Sequence, residues 1–356
     1  MRHWISAVVV LVLAGCAPRG EVVVDRSAAG VGVIERIFVA GNRNPDNQPS
    51  GGLSFRRIDV SVPPDRKAGT LRYPETDGSP DPRREFLVTA DDRLDGPQGF
   101  RAAIEHELAG RPARDSDIIL FVHGFNTRFG EGIYRYAQVA HDLQLPGIRT
   151  HFSWISHGNA LAYAADRDSL LYSRDDLVTT LQTLASLRGR GKIILVGHSM
   201  GAELLMESLR QLALTGRRDV LDQIDGVVLQ APDINVSVFR SQARAIGKLP
   251  QPFFIFTSQH DRALRLSALV SHQPKRLGTL DDPREVADLD VILVDVSKFN
   301  SGIGHFNAAT SPALIRILSR ASELERMFAG DYGSPANPFG AAAIRVQQAA
   351  QIVVSP

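Results

Sequence analysis

The hydrophobic pattern of this chain changes character near residue 117. Before it, apolar runs are irregularly spaced. After it, short unbroken apolar runs alternate with longer stretches at helical spacing. Ile118-Ile119-Leu120-Phe121 is the first such run. Strands buried on both faces by flanking helices show no polar alternation, so residues 117–122 read as a parallel strand. Residues 132–143 read as a helix and 149–154 as a strand. Residues 173–187 read as a helix, with Leu177, Leu181 and Leu184 on one stripe. The rhythm continues with strands at 192–196, 226–230, 252–257 and 291–295. Helices are expected from 200 onward and at 236–246, 262–269 and 312–327. Such alternation predicts an α/β fold, with a mostly parallel central sheet and helices on both faces. In the earlier part, strands are expected at 36–40, 58–62 and 85–89, with a helix at 100–108. The segments 42–52 and 63–82 read as turns and extended loop, the second because of Pro63, Pro64, Pro74, Pro80 and Pro82. Residues 17–32, with Pro18, Gly20, Gly30 and Gly32, read as a tether, and the Ala-, Gly- and Pro-rich residues 330–356 as a poorly ordered tail. That leaves one domain over 33–329.

The chemistry concentrates at the turn after the strand at 192–196. There Gly197-His198-Ser199-Met200-Gly201 separates an apolar strand from a helix carrying Leu204, Leu205, Leu209 and Leu212. A serine at the tip of a strand–turn–helix is the context of a nucleophile elbow. Its hydroxyl stands clear of the sheet. The Met200 N–H, at the positive end of the following helix, points to where an oxyanion forms. The remaining members of a triad follow the serine in the order acid, then histidine. Of ten histidines, only His260, His272 and His305 lie beyond the elbow helix. His305 stands in the Gly-rich loop Ser301-Gly302-Ile303-Gly304-His305 past the last expected strand, where an imidazole can fold back as general base. Two acids end strands: Asp261, in His260-Asp261-Arg262, and Asp233, in Ala231-Pro232-Asp233. Asp261 lies on the later strand and is preferred. Asp233 is the alternative acid and has a competing structural role as cap of the helix near 236. For the second oxyanion donor, the loop His123-Gly124-Phe125-Asn126 ends the strand at 117–122, and its turn resembles the oxyanion loop of esterases and lipases. Phe125 N–H is the expected donor, with His123 bracing the loop and His198 turned into the sheet packing.

The N-terminus adds a location. Arg2 and His3 precede an apolar run at 5–13, too short to span a bilayer, which needs about 20 residues. This is the form of an export signal over residues 1–15. Leu13-Ala14-Gly15-Cys16 resembles the bacterial lipoprotein cleavage box, and Cys16 is the only cysteine. The resemblance implies a lipid-modified Cys16 and a cell-envelope protein, on the outer membrane in a Gram-negative host. One cysteine excludes an intramolecular disulfide. A net charge of +1 without a clustered basic face gives no nucleic-acid footprint. The charge runs Asp166-Arg167-Asp168 and Arg174-Asp175-Asp176 read as solvated helix faces. The oligomeric state is not written in the sequence.

Taken together, the HGFN loop, the GHSMG elbow, the HDRAL acid loop and the GH loop resemble the uncharacterised bacterial α/β-hydrolases of the esterase/lipase superfamily. Further matches are Arg36-Ile37-Phe38-Val39-Ala40, Phe152-Ser153-Trp154, Tyr163, Asp166, Arg167 and Ala231-Pro232-Asp233. The resemblance spans about residues 35–310. It implies the α/β-hydrolase fold and hydrolytic chemistry, without fixing a substrate. Ile155 and Gly41 stand where family members commonly carry proline and threonine. The expected activity is a serine hydrolase that cleaves carboxylic esters of small molecules or lipids through an acyl-enzyme on Ser199, His305 and Asp261. No metal and no organic cofactor is expected. Two rival readings remain open at this level: an inactive tethered scaffold with the same fold, and an acyltransferase using the same triad. The segment 156–171 reads either as a cover over the acyl pocket or as a plain strand–helix connection.

Overall fold

The computed structural model describes residues 20–75, 79–272, 275–299, 304–305, 307–318 and 342–354. Its strands are β1 (Val33–Arg43), β2 (Pro49–Val62), β3 (Leu87–Leu94), β4 (Ile118–Val122), β5 (Ile148–Ser153), β6 (Ile193–His198), β7 (Gly226–Gln230), β8 (Phe253–Thr257), β9 (Ile292–Asp295), β10 (Ala342–Val346) and β11 (Ala349–Val353). The helices are α1 (Gly96–Leu108), α2 (Phe129–Asp142), α3 (Tyr163–Ala185), α4 (Met200–Leu214), α5 (Arg218–Leu221), α6 (Val236–Ile246), α7 (Arg262–Val270), α8 (Asn307–Thr310) and α9 (Pro312–Leu318). All strands join one sheet in the order β10-β11-β9-β8-β7-β6-β4-β5-β1-β2-β3. From β11 through to β1 neighbours are parallel, while β1–β2, β2–β3 and β10–β11 are antiparallel.

The alternation of side chains along each strand divides the core. Ile118, Leu120 and Val122 of β4 pack with Phe100 of α1, Leu177 and Leu181 of α3, Leu205 and Leu209 of α4 and Phe239 of α6. Phe121, pointing the other way, packs with Phe129, Ile133 and Tyr136 of α2. At the far end, Phe254 and Phe256 of β8 meet Leu314 and Leu318 of α9. Helices therefore cover both faces, as the unbroken apolar runs require.

The order β5-β4-β6 matters most for function. The chain leaves β4 for β5 on one side and reaches β6 on the other. The loops after β4 and β6 therefore diverge and leave a crevice at the carboxyl ends of the strands, where ligands bind in open α/β sheets.

Several expectations need correcting. Segment 42–52 is mostly strand, because β1 and β2 continue through it as a hairpin with Arg43 paired to Pro49. Helix α3 starts at Tyr163, so the connection after β5 is a short loop running to residue 162 and is not a long cover. The charged run at 166–168 hid that helix. It is a solvated face only in part, since Asp168 is exposed but Asp166 is fully buried. Residues 20–32 are no free tether. Val23 and Asp25 pair with Val88 of β3, and 26–30 form a turn of 3-10 helix. The supposed tail returns to the sheet as β10 and β11, with β11 parallel to β9; the β-branched run Ile352-Val353-Val354 carried that signal. Residues 319–327 of the expected last helix, the export segment 1–15 and Cys16 lie outside the described residues.

Candidate active site

Ser199 sits at the tip of the β6–α4 turn with φ 54° and ψ −121°. Side chains with a Cβ resist this conformation, which costs about 1–3 kcal/mol and persists only where neighbours enforce it. Three backbone bonds do so. Ser199 N–H donates to Gln230 O at 3.0 Å, and the Ser199 carbonyl accepts from Asp233 N at 3.2 Å and Ala202 N at 3.1 Å. The turn after β7 thus clasps the elbow, and it is strained too, with Ala231 at φ 43°. Gly201 is required by close approach: a Cβ there would overlap the carbonyl oxygens of Val122 and His123.

Asp261 and His305, 44 residues apart in sequence, come together. Asp261 is completely buried. Its Oδ1 caps α7 by accepting from Leu264 N at 2.9 Å, and its Oδ2 lies 2.7 Å from His305 Nδ1. One carboxylate oxygen is thus fixed by the helix and the other is offered to the imidazole. A proton on Nδ1 donated to Asp261 leaves Nε2 as the free base. The His305 ring stands 4.8 Å from the ring of His198, the residue before Ser199. His198 Nε2 is also 3.4 Å from the His305 carbonyl. His198 therefore lines the crevice and does not turn into the sheet packing. Burial, and then the neighbouring His305, push its pKa well below the usual histidine range.

Asp233 is engaged elsewhere. Both its oxygens are taken, Oδ1 by Ser267 Oγ at 2.6 Å and Arg276 Nε at 3.2 Å, and Oδ2 by the Tyr163 hydroxyl at 3.1 Å. The cap of α6 is Asn235, which accepts from Ser237 N and Val238 N, so the capping role expected of Asp233 is filled by another residue. Asp233 instead anchors the turn that clasps Ser199.

The loop after β4 is held from below. An added Cβ at Gly124 would lie 2.9 Å from Ser199 Cβ and 2.8 Å from His198 Nδ1, so only glycine lets this loop touch the elbow. Phe125 follows, its ring packed edge-on against Tyr163 at 5.4 Å. His123 is buried, stacked on Trp154 at 5.2 Å, with its carbonyl accepting from Trp154 Nε1 at 2.7 Å. Burial and the adjacent Arg43 hold His123 well below its usual pKa, so it is neutral. The bracing role expected of it fits this geometry.

Arg43 was invisible in the sequence. It is 1 % exposed and donates to Thr127 O at 2.5 Å, Ser156 O at 3.1 Å and Asn47 Oδ1 at 3.0 Å, while its Nη2 meets His123 Nε2 at 2.8 Å. Burial lowers its pKa to about 9. Asp166 holds the other side of the same loop, taking Ser156 Oγ at 2.6 Å and His157 N at 2.8 Å. Together they tie the loop ends to β1 and α3. A cleft of about 150 Å³ opens beside Gly124 and His198, walled by Tyr73, Asn126, Glu131 and Arg135.

Glu203, one turn into α4, carries an electrostatic signature. One carboxylate oxygen pairs with Arg167 Nη2 at 2.6 Å, and the other is buried with no hydrogen-bond partner. Desolvation dominates and pushes its pKa up to about 7, against the pull of Arg167. In the unfolded chain the group titrates near the ordinary value of about 4.3. Between these two values the native state binds the extra proton, so this group's stabilisation is complete at acid pH and is lost as pH rises to about 7. Glu203→Gln is expected to flatten the decline in chemical-denaturation stability between pH 5 and 7.5, by up to about 3 kcal/mol. An unchanged slope would contradict the assignment.

Among the described residues, no group of three or more His, Cys, Asp or Glu is arranged to hold a metal ion. Also among them, no helix is long and apolar enough to cross a membrane.

Comparisons with known proteins follow the same lines. The chain resembles a putative cell surface hydrolase from Lactobacillus plantarum WCFS1 at 12% identity and TM-score 0.37, over 64% of this chain and 96% of that one. It resembles an esterase from Rhizomucor miehei at 13% identity and TM-score 0.41, over 85% and 86%. It resembles a putative hydrolase from Agrobacterium vitis S4 at 15% identity and TM-score 0.34, over 84% and 98%. No curated protein matches it. A family model described as alpha/beta hydrolase of unknown function (DUF900) matches residues 100–321, which run from α1 past α9 and take in the elbow, both acids and His305. With well over half its length matched, the chain belongs to the DUF900 family of alpha/beta hydrolases.

Proposed function

We propose that this protein is a serine hydrolase that cleaves carboxylic esters through an acyl-enzyme. Ser199 attacks the carbonyl carbon, and His305 Nε2 takes the hydroxyl proton. Collapse of the tetrahedral intermediate releases the alcohol, which receives that proton, and a water activated by the same imidazole then frees the acid. Asp261 holds the imidazole in the tautomer that presents Nε2. Phe125 N–H and Met200 N–H stabilise the oxyanion, a contribution of about 3 kcal/mol for each donor. The observation that carries this reading is the 2.7 Å contact between His305 and a fully buried Asp261, with the His305 ring 4.8 Å from that of His198, the residue before a serine held at φ 54°. A scaffold with no chemistry has no use for either the strain or the buried carboxylate–imidazole hydrogen bond.

We further take Cys16 to carry the lipid of an envelope lipoprotein, with a small-molecule or lipid ester as substrate.

A panel of p-nitrophenyl esters of increasing chain length tests the activity. The expected result is a burst of about one p-nitrophenol per protein before the steady rate, the kinetic sign of acyl-enzyme accumulation. Absence of any turnover across the panel favours the inactive scaffold. A burst followed by turnover only when an alcohol acceptor is supplied favours the acyltransferase.

A further inference from the structure

We infer that the catalytic rim of this protein lies on a lipid bilayer, the one holding its own anchor, so that the site opens onto esters in that membrane. This rests on the lipid modification of Cys16 proposed above and adds an orientation to it.

The first observation is where the chain emerges. Val23 and Val24 lie beside Val88 at the start of β3, the edge of the sheet opposite the catalytic rim. Followed toward the N-terminus, the chain climbs along α2. Val23 N donates to the Tyr134 hydroxyl at 3.1 Å, and that hydroxyl donates to Glu21 O at 3.2 Å. Gly20 then packs so closely on the first turn of α2 that a Cβ at Gly130 would overlap its carbonyl. A Cβ at Gly20 itself would lie 2.7 Å from Glu131 and 3.0 Å from Tyr73, two walls of the cleft beside Gly124 and His198. The chain therefore leaves the body at the catalytic rim. Three residues separate Gly20 from Cys16, and the four steps between them reach about 14 Å at most. An acyl chain on Cys16 cannot enter a bilayer without bringing this rim close to it.

The second observation is what the rim presents. Helix α7 begins at the triad acid and turns Leu264 and Ser267 inward. Its outer stripe is Leu266, Leu269 and Val270, at i, i+3 and i+4, which are 60%, 72% and 55% exposed. Leu161, at the mouth between β5 and α3, is 93% exposed. The Tyr163 hydroxyl, 2.8 Å from Ser267 Oγ, ties that mouth to α7. Single exposed apolar residues are ordinary, but a helix with an apolar outer stripe is not. Helix α7 has no acidic residue and carries exposed Arg262 and Arg265 beside the stripe. Apolar residues flanked by arginine suit the interface of a membrane with anionic headgroups.

The test uses the full, lipid-modified chain carrying Ser199→Ala, so that it does not depend on turnover. With Cys16 acylated, a new cysteine takes an environment-sensitive NBD fluorophore at one place. Leu269→Cys labels the α7 stripe. Arg114→Cys labels the opposite rim, just before β4, where that side chain is 84% exposed. Each is reconstituted in phosphatidylcholine–phosphatidylglycerol vesicles containing doxyl-labelled lipid. The expected result is quenching at 269 about threefold or more above that at 114. Equal quenching, stronger quenching at 114, or failure of the chain to associate with vesicles overturns the inference. The hydrolase reading is untouched by any of these outcomes and stands or falls on the ester panel.

Discussion

Ser199→Ala is expected to lower kcat by about 10⁴- to 10⁶-fold, the loss typical of removing a triad nucleophile. Its stability should stay within about 0.5 kcal/mol of the parent, and its affinity for a short ester should change little. The substitution removes one oxygen and leaves the elbow as strained as before, because alanine fits φ 54° no better than serine does. The backbone bonds to Gln230, Asp233 and Ala202 do not involve the side chain and survive. Any rate that remains is expected to come from the proposed oxyanion donors, which would still polarise the carbonyl for attack by water. Steady-state kinetics beside a thermal melt read both quantities at once. A variant that keeps more than a tenth of the parent rate identifies another nucleophile.

The second large effect separates the two acids. Asp261→Asn is expected to cost about 10⁴-fold in kcat with little loss of stability. An asparagine still caps α7 by accepting from Leu264 N–H, so the helix keeps its N-terminus. Toward His305, however, the carboxamide either offers an N–H to Nδ1, forcing the tautomer with the proton on Nε2, or supplies only a neutral acceptor for a developing imidazolium. Asp233→Asn is expected to behave in the opposite way. It strips the charge from a buried pair with Arg276 and loosens the turn that clasps Ser199, at a cost to stability of about 3 kcal/mol, with a smaller loss of rate. Urea unfolding and kcat measured on both variants make a crossed comparison. If Asp233→Asn is the folded but inactive one, the roles of the two acids are exchanged.

Much of this site was legible because it is built from local signals at the ends of strands. A glycine-flanked serine between an apolar strand and a helix, an acid opening a helix after a strand, and a histidine in a glycine-rich loop each stand out without knowledge of distant contacts. Chain order then pairs them. The parts that support the site are long-range and carry no local signature. Arg43 looks like any surface arginine ending a strand, and only the fold buries it under Thr127 and Ser156. Asp166 sits in a charge run of the kind that usually faces water, yet it is fully buried by its bonds to Ser156 and His157. Asn235 took the cap assigned to Asp233, because two polar residues so close before a helix cannot be ranked without the backbone angles. The strands of the central sheet were plain as apolar runs. The outer strands β1, β2 and β3 showed as the shorter runs at 36–40, 58–62 and 85–89, whereas β10 and β11 did not show, since they lie in composition that reads as a tail.

The most direct measurement is labelling of the full-length protein with a fluorophosphonate probe, followed by peptide mapping of the modified residue. The account predicts one adduct per chain, on Ser199, formed at least about a hundredfold more slowly in His305→Ala. An adduct on any other residue, or an unmodified protein after prolonged exposure with its fold intact, would contradict it.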